Sequence, residues 1–261
     1  MKVVILAGGL GTRLSEETVN VPKPMVEIGG MPILWHIMKI YAAQGFDEFV
    51  VALGYKGDVI KRFFYDYGRL RGSLTIDLAG GDLRPHAGDP GSLRESWRVH
   101  LMETGRETLT AGRLKRLKDF LGDEPFMLTY GDGVSNIDLN ALLAYHRAHG
   151  RLGTITAVRP PARFGGLDFG ENGEIREFIE KPQIGEGWIN GGFMVLEPEI
   201  LDRIPGDDSA LEGDVLEPLS RERALMAYRH EGYWQCMDTL RDRRILNDMW
   251  ETGDAPWRIW E

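Results

Sequence analysis

The chain has 261 residues, is 43% hydrophobic and carries a formal net charge of −9. That length fits one α/β unit with a substantial core, and the acidic balance argues against a nucleic-acid partner. The single cysteine excludes an intramolecular disulfide, and no apolar run approaches the roughly 18 residues of a membrane span.

The first residues lack the cationic region and cleavage site of a signal peptide, so the expectation is a cytoplasmic protein with no membrane partner. Val3-Val4-Ile5-Leu6-Ala7 is a continuous apolar run, the pattern of a parallel strand buried on both faces. It breaks into Gly8-Gly9-Leu10-Gly11-Thr12-Arg13, where successive N–H groups can form an anion nest and Arg13 adds a fixed charge. Lys23 follows, pinned between Pro22 and Pro24. This set suits a triphosphate, although the glycines alone read equally well as a turn beside two solvated basic residues. The stretch has no Gly-Lys-Ser/Thr, so it is not a P-loop. Leu14 stands where the Gly-x-Gly-x-x-Gly dinucleotide fingerprint needs its last glycine.

Residues 32–45 place apolar side chains at helical spacing between Pro32 and Gly45, with His36 reading as a packed helix residue. A strand over residues 48–53 and a helix over 58–67 continue the βαβ pattern of a parallel sheet. Residues 69–90 predict one short strand, over 74–78, inside a long irregular connection. After a strand over 97–103, Thr110, Gly112 and Arg113 open a helix that extends to about residue 121. A helix start with this composition suits a phosphate or a base edge; it reads as readily as a cap followed by a solvated basic face.

The strand over residues 126–130 ends in Gly131-Asp132-Gly133, a carboxylate at the carboxyl end of a buried strand, where α/β sheets place ligands. A tight Asp-Gly turn is the plainer alternative. Asp138 caps a helix to residue 149, on which His146 and His149 read as solvated.

The second half predicts a more mixed sheet: strands over 153–158, 167–169 and 175–179, a turn at Glu171-Asn172-Gly173, then one strand over 188–196. Glu180-Lys181 beside Asn190-Gly191 suits a hydroxyl-rich ligand, or equally a surface ion pair and a bulge. A helix over 216–223 and a strand over 224–228 follow. Asp238 and Thr239 precede a helix over 240–251 and read as its caps. Cys236 has no basic neighbour and no nucleophilic role. The aromatic end, APWRIWE, is expected to pack on the body or on another subunit.

The strings GGLGTRLSEET, PKPMVEIGG, TAGRLKR, TYGDGV, EKP, INGGF and WQCMDTLRD resemble the nucleotide-sugar pyrophosphorylases, and among them the enzymes that act on CTP and α-D-glucose 1-phosphate. The likeness runs in order through nearly the whole chain. It implies an α/β fold with a Rossmann-like mixed, largely parallel central sheet flanked by helices, and smaller mixed β elements in the second half. It implies one domain over residues 1–261, in which 1–150 serve mainly the nucleotide and 151–261 mainly the sugar.

The resemblance also implies roles. Leu6, Gly8, Gly9, Gly11, Thr12, Arg13, Thr110, Gly112, Arg113 and Gly131 would bind the nucleotide. Arg13, Lys23 and Asp132 would be catalytic, with Lys23 bridging the phosphates. Asp132 and Asp238 would hold Mg²⁺, and Glu180, Lys181, Asn190 and Gly191 would contact the sugar. CTP and glucose 1-phosphate are the implied substrates, and a homo-oligomer is expected. Ala111 and Cys236 depart from the family's usual glycine and proline. A relative acting with UTP or dTTP or on another sugar 1-phosphate, or a non-catalytic nucleotide-sugar sensor on the same fold, is the alternative.

Overall fold

The computed structural model describes residues 1–9, 21–67, 73–86, 95–160, 166–169, 175–179 and 187–260. Gly11, Thr12, Arg13, Glu180, Lys181 and the turn at 171–173 lie outside the described residues.

An eight-stranded sheet organises the described residues. Its strands are β1 (Lys2–Leu6), β2 (Glu48–Leu53), β3 (Arg98–Glu103), β4 (Phe126–Tyr130), β5 (Gly153–Val158), β6 (Ile189–Asn190), β7 (Met194–Leu196) and β8 (Leu225–His230). The main helices are α1 (Ile33–Ala42), α2 (Gly57–Tyr67), α3 (Thr110–Arg116), α4 (Leu139–His149) and α5 (Leu240–Thr252). β1 lies between β2 and β4 and runs parallel to both, and β2 runs parallel to β3. β7 enters antiparallel to β4, β5 pairs antiparallel with β6 and β7, and β8 lies parallel along the other side of β5. The sheet is therefore mixed and largely parallel, as expected.

The strand pattern explains the layers. Val3 and Ile5 of β1 join Phe49, Val51 and Leu53 in a core shared with α1 and α4. Val4 and Leu6 join Val50 and Ala52 in a second core, shared with α3 and the segment around residues 200–219. Successive side chains of a strand point to opposite faces, so a sheet covered on both faces needs an unbroken apolar run.

Four details differ from the expectations. The strand over 188–196 is broken between β6 and β7, because Gly192 and Phe193 take positive φ of 75° and 45°. Residues 74–77 and 82–85 pair as an antiparallel hairpin where a single strand was expected. A π-helical turn, Leu211–Leu216, precedes the short helix Glu217–Arg221. His146 is buried, with Nδ1 at 2.8 Å from Thr154 Oγ1 and Nε2 at 3.1 Å from Glu197 Oε1, so it is a core residue and not a solvated one.

The aromatic end packs on the body. Trp257 is fully buried, stacks on Tyr233 at 5.7 Å and donates Nε1–H to His36 Nδ1 at 3.4 Å. His36 is packed as expected, and its Nε2–H donates to the Ile28 carbonyl at 2.8 Å.

Candidate active site

The carboxyl ends of β1 and β4 open onto a cavity of about 420 Å³. Leu6, Gly8, Gly9, Lys23, Thr110, Arg113, Gly131, Asp132 and Asp238 line it together. These nine residues were singled out along the sequence, and the fold brings them to one place. Gly112, Asn190 and Gly191 lie outside that lining.

Three local structures build the wall around Lys23. A single 3₁₀ turn, Lys23–Met25, is tied by Met25 N–H to the Pro22 carbonyl at 2.8 Å and by Val26 N–H to the Lys23 carbonyl at 3.1 Å. Pro24 packs on Gly131, where a Cβ would stand 2.9 Å from both the proline ring and the Leu6 carbonyl oxygen. Gly131 therefore has to be glycine for the turn to sit against β4. The short antiparallel ribbon Gly133–Ser135 with Trp234–Cys236, extended by Met237 N–H to the Asp132 carbonyl at 2.8 Å, sets Asp132 beside Asp238.

Lys23 Nζ reaches both carboxylates. It lies 2.6 Å from Asp132 Oδ2 and also pairs with Asp238 Oδ1. Burial works against its charge, but the two carboxylates more than offset that, so its pKa stands above the ordinary lysine value.

Asp238 is aimed by the start of α5. Thr239, not Asp238, caps that helix: its side chain accepts from Asp242 N–H, forming a capping box. Asp242 Oδ2 in return accepts from Asp238 N–H at 3.0 Å and Thr239 N–H at 2.8 Å. The Thr-x-x-Asp spacing was the sequence signal for Asp242, a residue that sequence reasoning passed over.

Arg113 reaches under Gly8 and is nearly fully buried. Its guanidinium donates to Leu53 O at 3.0 Å, Gly105 O at 2.6 Å, Thr104 Oγ1 at 2.9 Å and Gly8 O at 2.9 Å. Burial, then the neighbouring Arg116, lowers its pKa. A Cβ on Gly8 or Gly54 would overlap this guanidinium. The start of α3 is likewise spent on the chain: Ala111 and Gly112 N–H donate to Ser209 O, and Thr110 Oγ1 accepts from Leu211 N–H. A Cβ on Gly112 would overlap the Asp207 backbone.

Tyr130, also overlooked along the sequence, lines the cavity. Its hydroxyl donates to Glu212 Oε1 at 2.6 Å and accepts from Asn190 Nδ2 at 3.1 Å. Asn190 Oδ1 accepts from Gly192 N–H at 2.9 Å, so the amide orientation is set from both ends. Gly191 N–H donates to Thr156 O at 2.9 Å and its carbonyl accepts from Trp234 Nε1–H at 2.8 Å. Burial, then the carboxylates of Asp238 and Asp132, pushes the Cys236 thiol up to about 12, which suits its expected inertness.

Among the described residues no group of three or more His, Cys, Asp or Glu converges on one point. Asp132 and Asp238 do converge, on the Lys23 ammonium. Two carboxylates facing this cavity form a hard oxygen donor set that fits a divalent cation, which takes one or two carboxylates plus substrate phosphates.

The chain was compared with known proteins. The Nucleotidyl transferase family model matches residues 2–242. The glucose-1-phosphate cytidylyltransferase of Salmonella typhi is 49% identical over 262 residues, covering 100% of both chains. The probable glucose-1-phosphate cytidylyltransferase of Bacillus subtilis is 45% identical over 261 residues, again covering 100% of both. The crystal structure of HddC from Yersinia pseudotuberculosis superposes with a TM-score of 0.67 at 24% identity, over 95% of this chain and 99% of that one. A UDP-glucose pyrophosphorylase complexed with UDP-glucose gives a TM-score of 0.67 at 15% identity, over 97% and 98%. With the expected mixed sheet, a cavity at its strand ends and a family match over nearly its whole length, this chain belongs to the nucleotidyl transferase family.

Proposed function

We propose that the protein transfers the cytidylyl group of CTP to α-D-glucose 1-phosphate, giving CDP-glucose and diphosphate. The observation that carries the chemistry is the cavity in which Lys23, Asp132 and Asp238 meet beside the glycine loop. The base and the sugar follow the full-length relatives.

An oxygen of the sugar phosphate attacks the α-phosphorus, and the bond to the departing diphosphate breaks. A phosphate monoester has a second pKa of about 6, so it is already an anionic nucleophile at neutral pH and needs no strong base. What it does need is a counter-charge, because two polyanions must meet. Lys23 is fixed at its backbone by the 3₁₀ turn and bridges the phosphates of nucleotide and sugar. Arg13 lies along the triphosphate. Gly8, Gly9, Gly11 and Thr12 wrap the nucleotide, with Thr110, Gly112 and Gly131 beside it. Arg113 acts by holding the Gly8 carbonyl and so the shape of the loop. Glu180, Lys181, Asn190 and Gly191 contact the sugar, Asn190 oriented by Tyr130. Asp132 and Asp238 hold Mg²⁺, which when bound neutralises phosphate charge. Orientation alone can supply up to roughly 7–11 kcal/mol when reacting groups are held in a near-attack geometry. The reading includes one domain with a nucleotide half (1–150) and a sugar half (151–261), acting as a cytoplasmic homo-oligomer.

Diphosphate release, measured across CTP, UTP, dTTP, ATP and GTP with a panel of sugar 1-phosphates, tests the reading. CTP with glucose 1-phosphate should give the highest kcat/KM; preference for another pair would reassign the substrates, and no release with any pair would favour a sensor. Lys23→Ala should lower kcat by about 10²–10³ while circular dichroism stays that of the wild type.

A further inference from the structure

The two carboxylates read above as metal ligands share a cation of the chain itself, which offsets one of their two negative charges. Lys23 Nζ touches one oxygen of each, Asp132 Oδ2 at 2.6 Å and Asp238 Oδ1. An ammonium held this way stands at the point where both carboxylates would place a metal ion, and one site cannot hold both. Asp242, the next carboxylate, is committed to the N–H groups of Asp238 and Thr239 and does not widen the site.

The backbone of Lys23 cannot retreat to make room. Pro22 and Pro24 restrict the chain on either side, and the turn is hydrogen-bonded at Met25 and Val26. Only the side chain can swing, and it needs another anion to receive it. The lining of the cavity runs from Lys23 to Gly8 and Gly9, so a polyphosphate bound at the glycine loop would offer that anion.

We propose that Lys23 occupies the divalent-cation position in the substrate-free protein and excludes the cation until a nucleotide polyphosphate draws the ammonium away. Cation and nucleotide then enter together, and the protein is not primed by metal alone. This rests on the reading that Asp132 and Asp238 hold the metal. The lysine is thus a counter-ion in one state and a phosphate clamp in the other.

Mn²⁺ binding to the substrate-free protein, followed by the paramagnetic resonance signal of free Mn²⁺, tests the idea. Wild type, Lys23→Met and Lys23→Gln are compared. Both variants should bind Mn²⁺ at least about tenfold more tightly than wild type, since removing a unit charge in contact with two carboxylates is a large change. Adding Asp238→Asn to Lys23→Met should abolish the gain. Equal affinities of wild type and the lysine variants would overturn the proposal. Should the variants not fold, nitrogen-detected resonance of the wild-type lysine ammonium groups decides it. The protected Lys23 signal should survive Mg²⁺ alone, and its loss at the Mg²⁺ level that supports nucleotide binding would overturn the proposal. The underlying metal assignment fails separately, if Asp132→Asn and Asp238→Asn bind Mn²⁺ together with CTP as the wild type does.

Discussion

Gly8 and Gly54 face the same guanidinium, and that contact explains their identity better than loop flexibility does. Neither has a positive φ; each lacks a Cβ because Arg113 fills the space one would take. Gly8→Ala should therefore cost about 1–3 kcal/mol of stability and weaken nucleotide binding, as overpacking does. In an Arg113→Ala background most of that added cost should vanish, a coupling that urea unfolding of the four members of the cycle would measure. If the two changes simply add, the contact does not explain Gly8. At this scale the sequence was partly legible. Lys23, Asp132 and Asp238 could be marked as candidates by their residue types and neighbours. That one lysine would pair with carboxylates 109 and 215 positions away could not, because no local pattern records such separations.

The elements show how helix ends and chain ends serve the site. The capping box of α5 both starts a helix and holds the backbone of Asp238. Asp242→Ala should cost about 1 kcal/mol in stability. It should also raise the Mg²⁺ concentration needed for half-maximal activity several-fold, whereas Thr239→Ser should leave that midpoint in place; Mg²⁺ titrations of both variants check this. A helix cap alone would not move the Mg²⁺ midpoint. On the same side of the sheet, α1 carries His36 into a box of tryptophans, one of them Trp250 of α5. Burial lowers its pKa from 6.5 to about 4, only partly opposed by its hydrogen bonds to backbone carbonyls. With Nε2–H given to Ile28 and Nδ1 accepting from Trp257, the neutral ring is the one that fits. The unfolded chain therefore binds an extra proton between pH 6.5 and 4. The contribution is complete above pH 6.5 and is lost as pH falls toward 4, at up to about 1.4 kcal/mol per pH unit. His36→Gln should flatten this part of the stability profile, as denaturant midpoints at pH 7, 5.5 and 4.5 would report.

Among the described residues the sheet lies between two apolar cores, and the one it shares with α1 and α4 is closed by the aromatic end of the chain. Trp257 fills a fully buried position between Tyr233 and His36. Trp257→Ala should cost about 3–5 kcal/mol, enough to lower the melting temperature markedly, and calorimetry would register it. A surface role for the tail, as a contact between subunits, would instead leave the monomer's stability unchanged.

By itself, the sequence determined the alternation of buried strands and amphipathic helices, and with it a parallel sheet whose strand ends carry the glycine loop and Asp132. Those features are local: apolar runs, helical spacing, glycines and prolines act within a few residues of themselves. The motif strings carried the family in the same way. Only the tertiary structure decided the break between β6 and β7, the burial of His146, and the burial of Arg113 against the Gly8 carbonyl. It alone set Lys23 between two carboxylates brought in by separate elements. Each of these depends on which surfaces meet when the layers close, and charge pairing across such a distance exists only once burial has excluded the water that would otherwise solvate each group separately.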